Sequence, residues 1–210
     1  MIVAIDGPAG AGKSTVARAL AERLSFRYLD TGAMYRALTW LAMHRGIDLS
    51  AGAALAELAR AEPVVFDGEG RVWIAGMDVT SSIRDQRIDR MVPVVARHTA
   101  VREVMRERQR ELGRDGDVVI EGRDIGTVVA PNAEVKVYLI ADRDERARRR
   151  MADRPGIGAD ALATDLRLRD ETDAERMKPA QDAREIDTTG LNVEDVVERI
   201  DALVRERTAA

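Results

Sequence analysis

The sequence predicts an α/β fold in which a parallel sheet is covered on both faces by helices. Three observations predict it. Short apolar runs at 2–5, 118–120 and 135–140 read as buried strands, and segments of helical periodicity alternate with them. A glycine-rich stretch from Gly7 to Gly12 joins the first run to the first helical segment. The length, 210 residues, suits one domain with room for an insertion.

Along the chain, the run at 2–5 ends at Asp6-Gly7, and Val16, Leu20 and Leu24 then recur at helical spacing. Tyr28-Leu29 reads as a short second strand, and 33–45 as a helix stopped by Gly46. Another short helix is expected at 53–61. The character changes at 63–80, where three strand-like pieces are separated by Asp-Gly-Glu-Gly and Ala-Gly. These predict a small antiparallel insertion. The stretch 83–112 is mostly helical, with Pro93 expected to break or kink it. Polar helices follow at 143–152 and 159–170 around Pro155-Gly156-Ile157-Gly158. A short strand is expected at 185–187, and then Asn192 caps a helix with Val193, Val196, Val197, Ile200, Leu203 and Val204 on one face.

Composition narrows the function classes. With 45% apolar and 33% charged residues, the chain has a globular balance. Its apolar runs are far short of a membrane span of ~20 residues, and no signal peptide is visible, so a cytosolic protein is expected. The absence of cysteine excludes disulfides and thiolate chemistry. Two histidines, His44 and His98, make no multi-histidine metal site; they read as surface or helix-end residues. Net charge is −4 and aromatics are 3%, which disfavours a general nucleic-acid binder. Of 33 cationic residues only Lys13, Lys136 and Lys178 are lysines, so a lysine inside a motif carries weight. Trp40 and Leu41 read as helix core, Trp73 as packing of the inserted sheet, and Met77, Met91 and Met105 as gap-fillers.

Gly7-Pro8-Ala9-Gly10-Ala11-Gly12-Lys13-Ser14 matches G-x-x-x-x-G-K-[ST], in the required place between a strand and a helix. Glycines let backbone amides close around phosphate oxygens, and the helix that follows points its positive end at the same anion. Lys13 suits the outer phosphates, and the Ser14 hydroxyl suits magnesium. The motif implies a nucleoside triphosphate without saying what is done with it. A GTPase would need Asn-Lys-x-Asp, in which none of the three lysines lies. A motor or transporter ATPase would be longer. A non-catalytic nucleotide-binding switch or scaffold and a small-molecule kinase remain. The kinase predicts a second anion site rich in arginine, for which two stretches qualify: Asp30-Thr31-Gly32-Ala33-Met34-Tyr35-Arg36 and Glu121-Gly122-Arg123-Asp124-Ile125-Gly126-Thr127. Each follows a strand, at the end where ligands of open α/β sheets sit.

These three motifs, with Asp78-Val79-Thr80-x-x-Ile83-Arg84 after the insertion, resemble the bacterial cytidylate kinases, a branch of the nucleoside monophosphate kinases. The likeness runs nearly end to end. It implies a P-loop fold whose five-stranded parallel sheet has the order 2-3-1-4-5, with a core at about 1–30, 114–142 and 180–210. It also implies a monophosphate-binding part at about 31–113 that carries the insertion, and a lid at about 143–170. The implied reaction is ATP with CMP or dCMP, by a cytoplasmic monomer with no membrane or nucleic-acid partner; a sibling kinase acting on UMP or AMP is the alternative. The donor site would comprise Gly7, Pro8, Ala9, Gly10, Ala11, Gly12, Lys13, Ser14 and Thr15, with Arg148 and Arg150 of the lid. Arg36, Arg123 and Arg176 would hold the acceptor phosphate and, with Lys13, form the catalytic set. Thr31 would lie near the base, Arg102 and Asp124 would read cytosine, and Arg169 and Asp173 would contact the ribose. Magnesium would take Ser14, with Glu121 through water and Asp30 as a weaker candidate. Pro93 stands where the family usually has a serine, whose hydroxyl can bond the base; proline offers neither hydroxyl nor amide.

Overall fold

The computed structural model describes residues 1–114, 116–153, 158–174 and 177–209, without the side chains at 153, 159–161, 165 and 169. Residues 155–157 of the hinge expected at Pro155-Gly156-Ile157-Gly158 and the candidate Arg176 lie outside the described residues, as does the side chain of Arg169. The chain divides into two compact units, Asp30–Arg114 and the remainder, Met1–Leu29 with Asp115–Ala210.

The larger unit is built on strands β1 (Ile2–Asp6), β2 (Arg27–Asp30), β6 (Val118–Gly122), β7 (Val135–Ile140) and β8 (Arg184–Asp187), with β3 to β5 in the other unit. Their order is β2-β6-β1-β7-β8, which is 2-3-1-4-5 when the five are numbered among themselves. Pairing is parallel, with Ile5 opposite Glu121 and Val137, so the carboxyl ends of the central strands are level. On one sheet face Val3, Ile5, Val119, Val137 and Leu139 are closed off by Val16 and Leu20 of α1 (Lys13–Leu24) and by Val196, Val197, Ile200 and Val204 of α8 (Val193–Thr208). The periodicity of the sequence thus becomes one shared core. Asn192 caps α8 as expected, accepting from the Asp195 amide at 2.9 Å. Helices α6 (Arg143–Asp153) and α7 (Ala159–Asp173) complete this unit.

The smaller unit holds α2 (Thr31–His44), α3 (Gly52–Ala61), the antiparallel strands β3 (Val65–Phe66), β4 (Val72–Ile74) and β5 (Met77–Asp78), then α4 (Gln86–Ala96) and α5 (Thr99–Gly113). Met34, Leu38, Leu41, Leu55, Ile74 and Ile83 are fully buried within it. Gly46, at φ 67°, ends α2 as expected, and the Ile47 amide closes on the Ala42 carbonyl. Pro93 does not break its helix where it stands. It occupies the last turn of α4, which runs on to Ala96, and the chain breaks at Arg97-His98 instead. Proline has no amide, so α4 runs through this position with one bond of its ladder missing. Trp40 stacks on the His44 ring rather than joining the buried core. Among the described residues no helix is long and apolar enough to cross a membrane.

The inserted sheet is too small to hold itself by apolar contact alone. Its turn is organised by Asp67, which accepts from the Glu69 and Arg71 amides, the Arg71 side chain and the Trp73 indole. The Arg71 and Trp73 donors hold its carboxyl far below the usual carboxylate range. A depressed carboxyl stabilises the fold above its unfolded pKa of about 3.9 and loses that contribution as pH falls. Asp67→Asn is therefore expected to lower Tm at pH 7, with the gap to the parent narrowing below about pH 4 in thermal melts. A gap independent of pH would contradict the role of the charge.

Candidate active site

The loop between β1 and α1 is forced into shape by its glycines. Gly7 has φ 147°, and a Cβ there would lie 2.2 Å from the Leu139 carbonyl oxygen of β7. Gly10 and Gly12 have φ of 81° and 90°. Helix α1 then starts with no side-chain cap and no acidic residue in its first turn, which leaves the positive end of the helix for an external anion. The carbonyls of this loop are taken by side chains. Arg123 Nη1 donates to Gly7 O at 2.7 Å, Lys13 Nζ to Pro8 O at 2.8 Å, Arg146 Nη1 to Ala9 O at 3.2 Å and Thr188 Oγ1 to Ala11 O at 3.2 Å.

The segment after β6 is fixed to the root of the same loop. Asp6 is buried at the end of β1 and accepts from the Ile125 amide at 2.9 Å and the Gly126 amide at 2.8 Å. Burial pushes the Asp6 carboxyl up from its ordinary pKa, against the pull of those two amides. The chain then makes a wide turn in which Ala130 N bonds Ile125 O at 2.7 Å. Arg123, placed by this turn, also pairs through Nε with Asp173 Oδ2 of α7 at 3.1 Å. Glu121 is buried, with Oε1 accepting from the Tyr28 hydroxyl at 2.6 Å.

In the smaller unit, Asp30 Oδ1 caps α2 through the Ala33 amide at 2.8 Å, and its Oδ2 faces Arg84 at 3.4 Å. Arg36, one turn into α2, donates from Nε to the buried Asp89 at 3.0 Å, and its Nη1 is 3.9 Å from Asp30. A Cβ on Gly32 would come within 3.0 Å of that same Nη1. Thr31 is buried at the start of α2, and Arg102 is half-buried in the first turn of α5. This unit therefore aims one guanidinium between two carboxylates.

In the larger unit a glycine-rich loop thus joins a strand to a helix, with an arginine from a second segment bonded to the loop's first carbonyl. The cytidylate kinase family profile matches residues 3–206. The chain belongs to the cytidylate kinase family. It is 45% identical to a cytidylate kinase of Bacillus licheniformis, covering 99% of this chain and 97% of that protein. It is 49% identical to one of Geobacillus kaustophilus, covering 98% and 96%. A gluconokinase structure from Sinorhizobium meliloti shares the fold at a TM-score of 0.53 and 16% identity, covering 99% and 93%.

Within the family frame, the run of arginines on α6 sorts into two faces. Arg148 is exposed and paired with Glu145 at 2.7 Å, and Arg150 is half-buried. The side chains against the loop are Arg146 and Arg149. Arg149 bonds Thr188 through its hydroxyl at 2.9 Å and its carbonyl at 2.7 Å, and its Nη1 lies 3.4 Å from where a Gly12 Cβ would be. Sequence reasoning singled out neither of them, nor Asp6, Asp89 or Thr188. The i, i+3 spacing of Arg146 and Arg149 puts them on one face, but nothing in the run says which face turns inward. Gly7→Ala is expected to lower Tm by roughly 10 °C, from a strained φ and a clash with strand backbone. A change under ~2 °C in a thermal melt would show that the loop root can move aside.

Proposed function

We propose that this protein transfers the γ-phosphoryl group of ATP to CMP and dCMP, giving ADP with CDP or dCDP, as a monomer in the cytoplasm. The observation that carries the reading is the Arg123 bond to the Gly7 carbonyl, which sets a second phosphate-binding cation on the first residue of the donor loop. Membership of the cytidylate kinase family supplies the acceptor class.

In this reading the loop amides from Gly7 to Gly12, with Lys13, Ser14 and Thr15, take the ATP phosphates. Arg36, Arg123 and Arg176 take the acceptor phosphate. Thr31, Arg102 and Asp124 take the base, and Arg169 and Asp173 the ribose. The acceptor's attacking oxygen is already largely ionised at neutral pH, since its second pKa is ~6, so the chemistry needs no general base. The obstacle is about six negative charges, four on ATP and two on the acceptor, which must be brought together in line. Lys13 is poised for this, because its ammonium rests on the Pro8 carbonyl at 2.8 Å, on the loop itself. Arg123 would exchange the Asp173 carboxylate for the more highly charged phosphate. Arg36, held between Asp30 and Asp89, supplies a guanidinium whose aim is fixed before substrate arrives.

Magnesium fits the donor set, because this ion uses one or two protein oxygens and takes the rest from phosphates and water. Ser14 offers an exposed hydroxyl in the first turn of α1 that would hold the ion, and the Glu121 carboxylate near the end of β6 would hold it through water. Both oxygens of Asp30 already serve the α2 cap and Arg84, so it is not assigned. When bound with ATP, the ion offsets about two of the charges on the phosphates.

Incubation with ATP, magnesium and CMP, dCMP, UMP, AMP or GMP in turn, followed by nucleotide separation, tests the reading. CDP and dCDP are expected as the main diphosphate products. No CDP above background ends the proposal, and faster turnover of UMP or AMP moves it to a sibling kinase. Lys13→Ala and Arg123→Ala are each expected to cut kcat/KM by at least ~100-fold, since each removes charge aimed at the reacting phosphates. A loss of about tenfold or less would mean that the transferred group lies elsewhere.

A further inference from the structure

Two arginine bridges tie α7 to the donor loop, and they follow the same pattern. Arg123 reaches from the Gly7 carbonyl to Asp173, at 2.7 Å and 3.1 Å. Arg146 reaches from the Ala9 carbonyl to Asp170, at 3.2 Å and 2.8 Å. Gly7 and Ala9 are two loop residues apart, and Asp170 and Asp173 are three helix residues apart, so the carboxylates share one face of α7. The bridges differ in what they are free to do. The Arg123 side chain is 22% exposed and is the one given to the acceptor phosphate above. The Arg146 side chain is 7% exposed and lies against Gly10, where a Cβ would meet the Arg146 Cβ at 3.0 Å.

The Arg146 pair also holds unused bonding capacity. An arginine and a carboxylate can close two parallel N–H···O bonds. Here the two groups meet as an ion pair at 2.8 Å, and Arg146 Nε and Asp170 Oδ1, both buried, have no hydrogen-bond partner among the described residues. A small rotation of either group has a bond to gain.

We propose that Arg146 is a positioning residue: it holds α7 on the donor loop through Asp170 while Arg123 releases Asp173 to take the acceptor phosphate. The inference rests on the function proposed above and deepens it, by naming the contact that persists when the other is exchanged. With Arg146 in place, Asp173 stays within reach of the acceptor ribose after Arg123 has turned away. Without it, α7 has lost both anchors to the loop at the moment the acceptor binds.

The test is steady-state kinetics of the full chain with ATP and CMP, using Asp170→Ala, Arg146→Met and the double variant. Asp170 touches no loop atom through this bridge, so Asp170→Ala is expected to raise the KM for CMP by about tenfold while the KM for ATP stays within about twofold. Arg146→Met, which also frees the Ala9 carbonyl, is expected to raise both. The double variant should match Arg146→Met alone, because the two residues act as one bridge. A purely structural role would lower Tm and kcat and leave that KM split unmoved. Both KM values of Asp170→Ala within twofold of the parent overturn the inference, as do effects that multiply in the double variant. If Arg146→Met does not fold, the KM split of Asp170→Ala decides alone. The unmodified protein in the same assay separates the two levels: no CDP from it overturns the proposed function and this inference together, whereas normal turnover with unaltered variants overturns the inference only.

Discussion

The glycine-rich loop between β1 and α1 has its carbonyls satisfied by side chains from elsewhere in the larger unit. This is the constraint on which the rest of the larger unit depends. The Gly7, Pro8 and Ala9 carbonyls are met by Arg123, Lys13 and Arg146, drawn from the β6 segment, α1 and α6, and the Thr188 hydroxyl after β8 shares its one proton between the Ala11 and Ile140 carbonyls. Buried backbone acceptors without partners are costly, so each of these bonds stabilises an otherwise open turn by about 1 kcal/mol or somewhat more where the donor is charged. The parallel sheet makes the convergence possible. It brings the carboxyl ends of β6, β1, β7 and β8 to one edge, so segments far apart in sequence reach the same loop.

The same bonds place the chemistry. Arg123 holds the Gly7 carbonyl at the root of the glycine-rich loop, and Asp6 holds the turn that follows it. Under the proposed function, loop support and phosphate binding fall to one set of cations. In the smaller unit the logic is different. Arg36 is held by two carboxylates rather than by backbone carbonyls, a pre-aimed charge whose partners a doubly charged phosphate can outcompete. The inserted sheet shows a third way to organise a turn, with one carboxylate gathering four donors.

Much of this was legible in the residues. The apolar run ending at Asp6, the Gly-Lys-Ser motif and the periodicity of α1 and α8 are local signals, and strand and helix geometry reads them directly. Asn192 and Gly46 act where their side-chain chemistry and backbone freedom said they would. Pro93 was harder to place. Its missing amide is a certain loss, but where the helix ends depends on what α4 packs against, and the break falls four residues later. Asp6 reads as the last residue of a strand, and only the approach of the 122–127 segment makes its carboxylate an anchor.

By itself, the sequence determined the fold class, the glycine-rich loop between strand and helix, the resemblance to a family and two arginine-bearing segments that follow strands, because each depends on residues close together in the chain. The tertiary structure decided which arginines of a crowded helix turn inward. Among 33 cationic side chains, charge alone cannot separate Arg146 from Arg148. The difference is one of direction: Arg146 turns to a loop carbonyl and Asp170, and Arg148 to Glu145 of its own helix and to solvent.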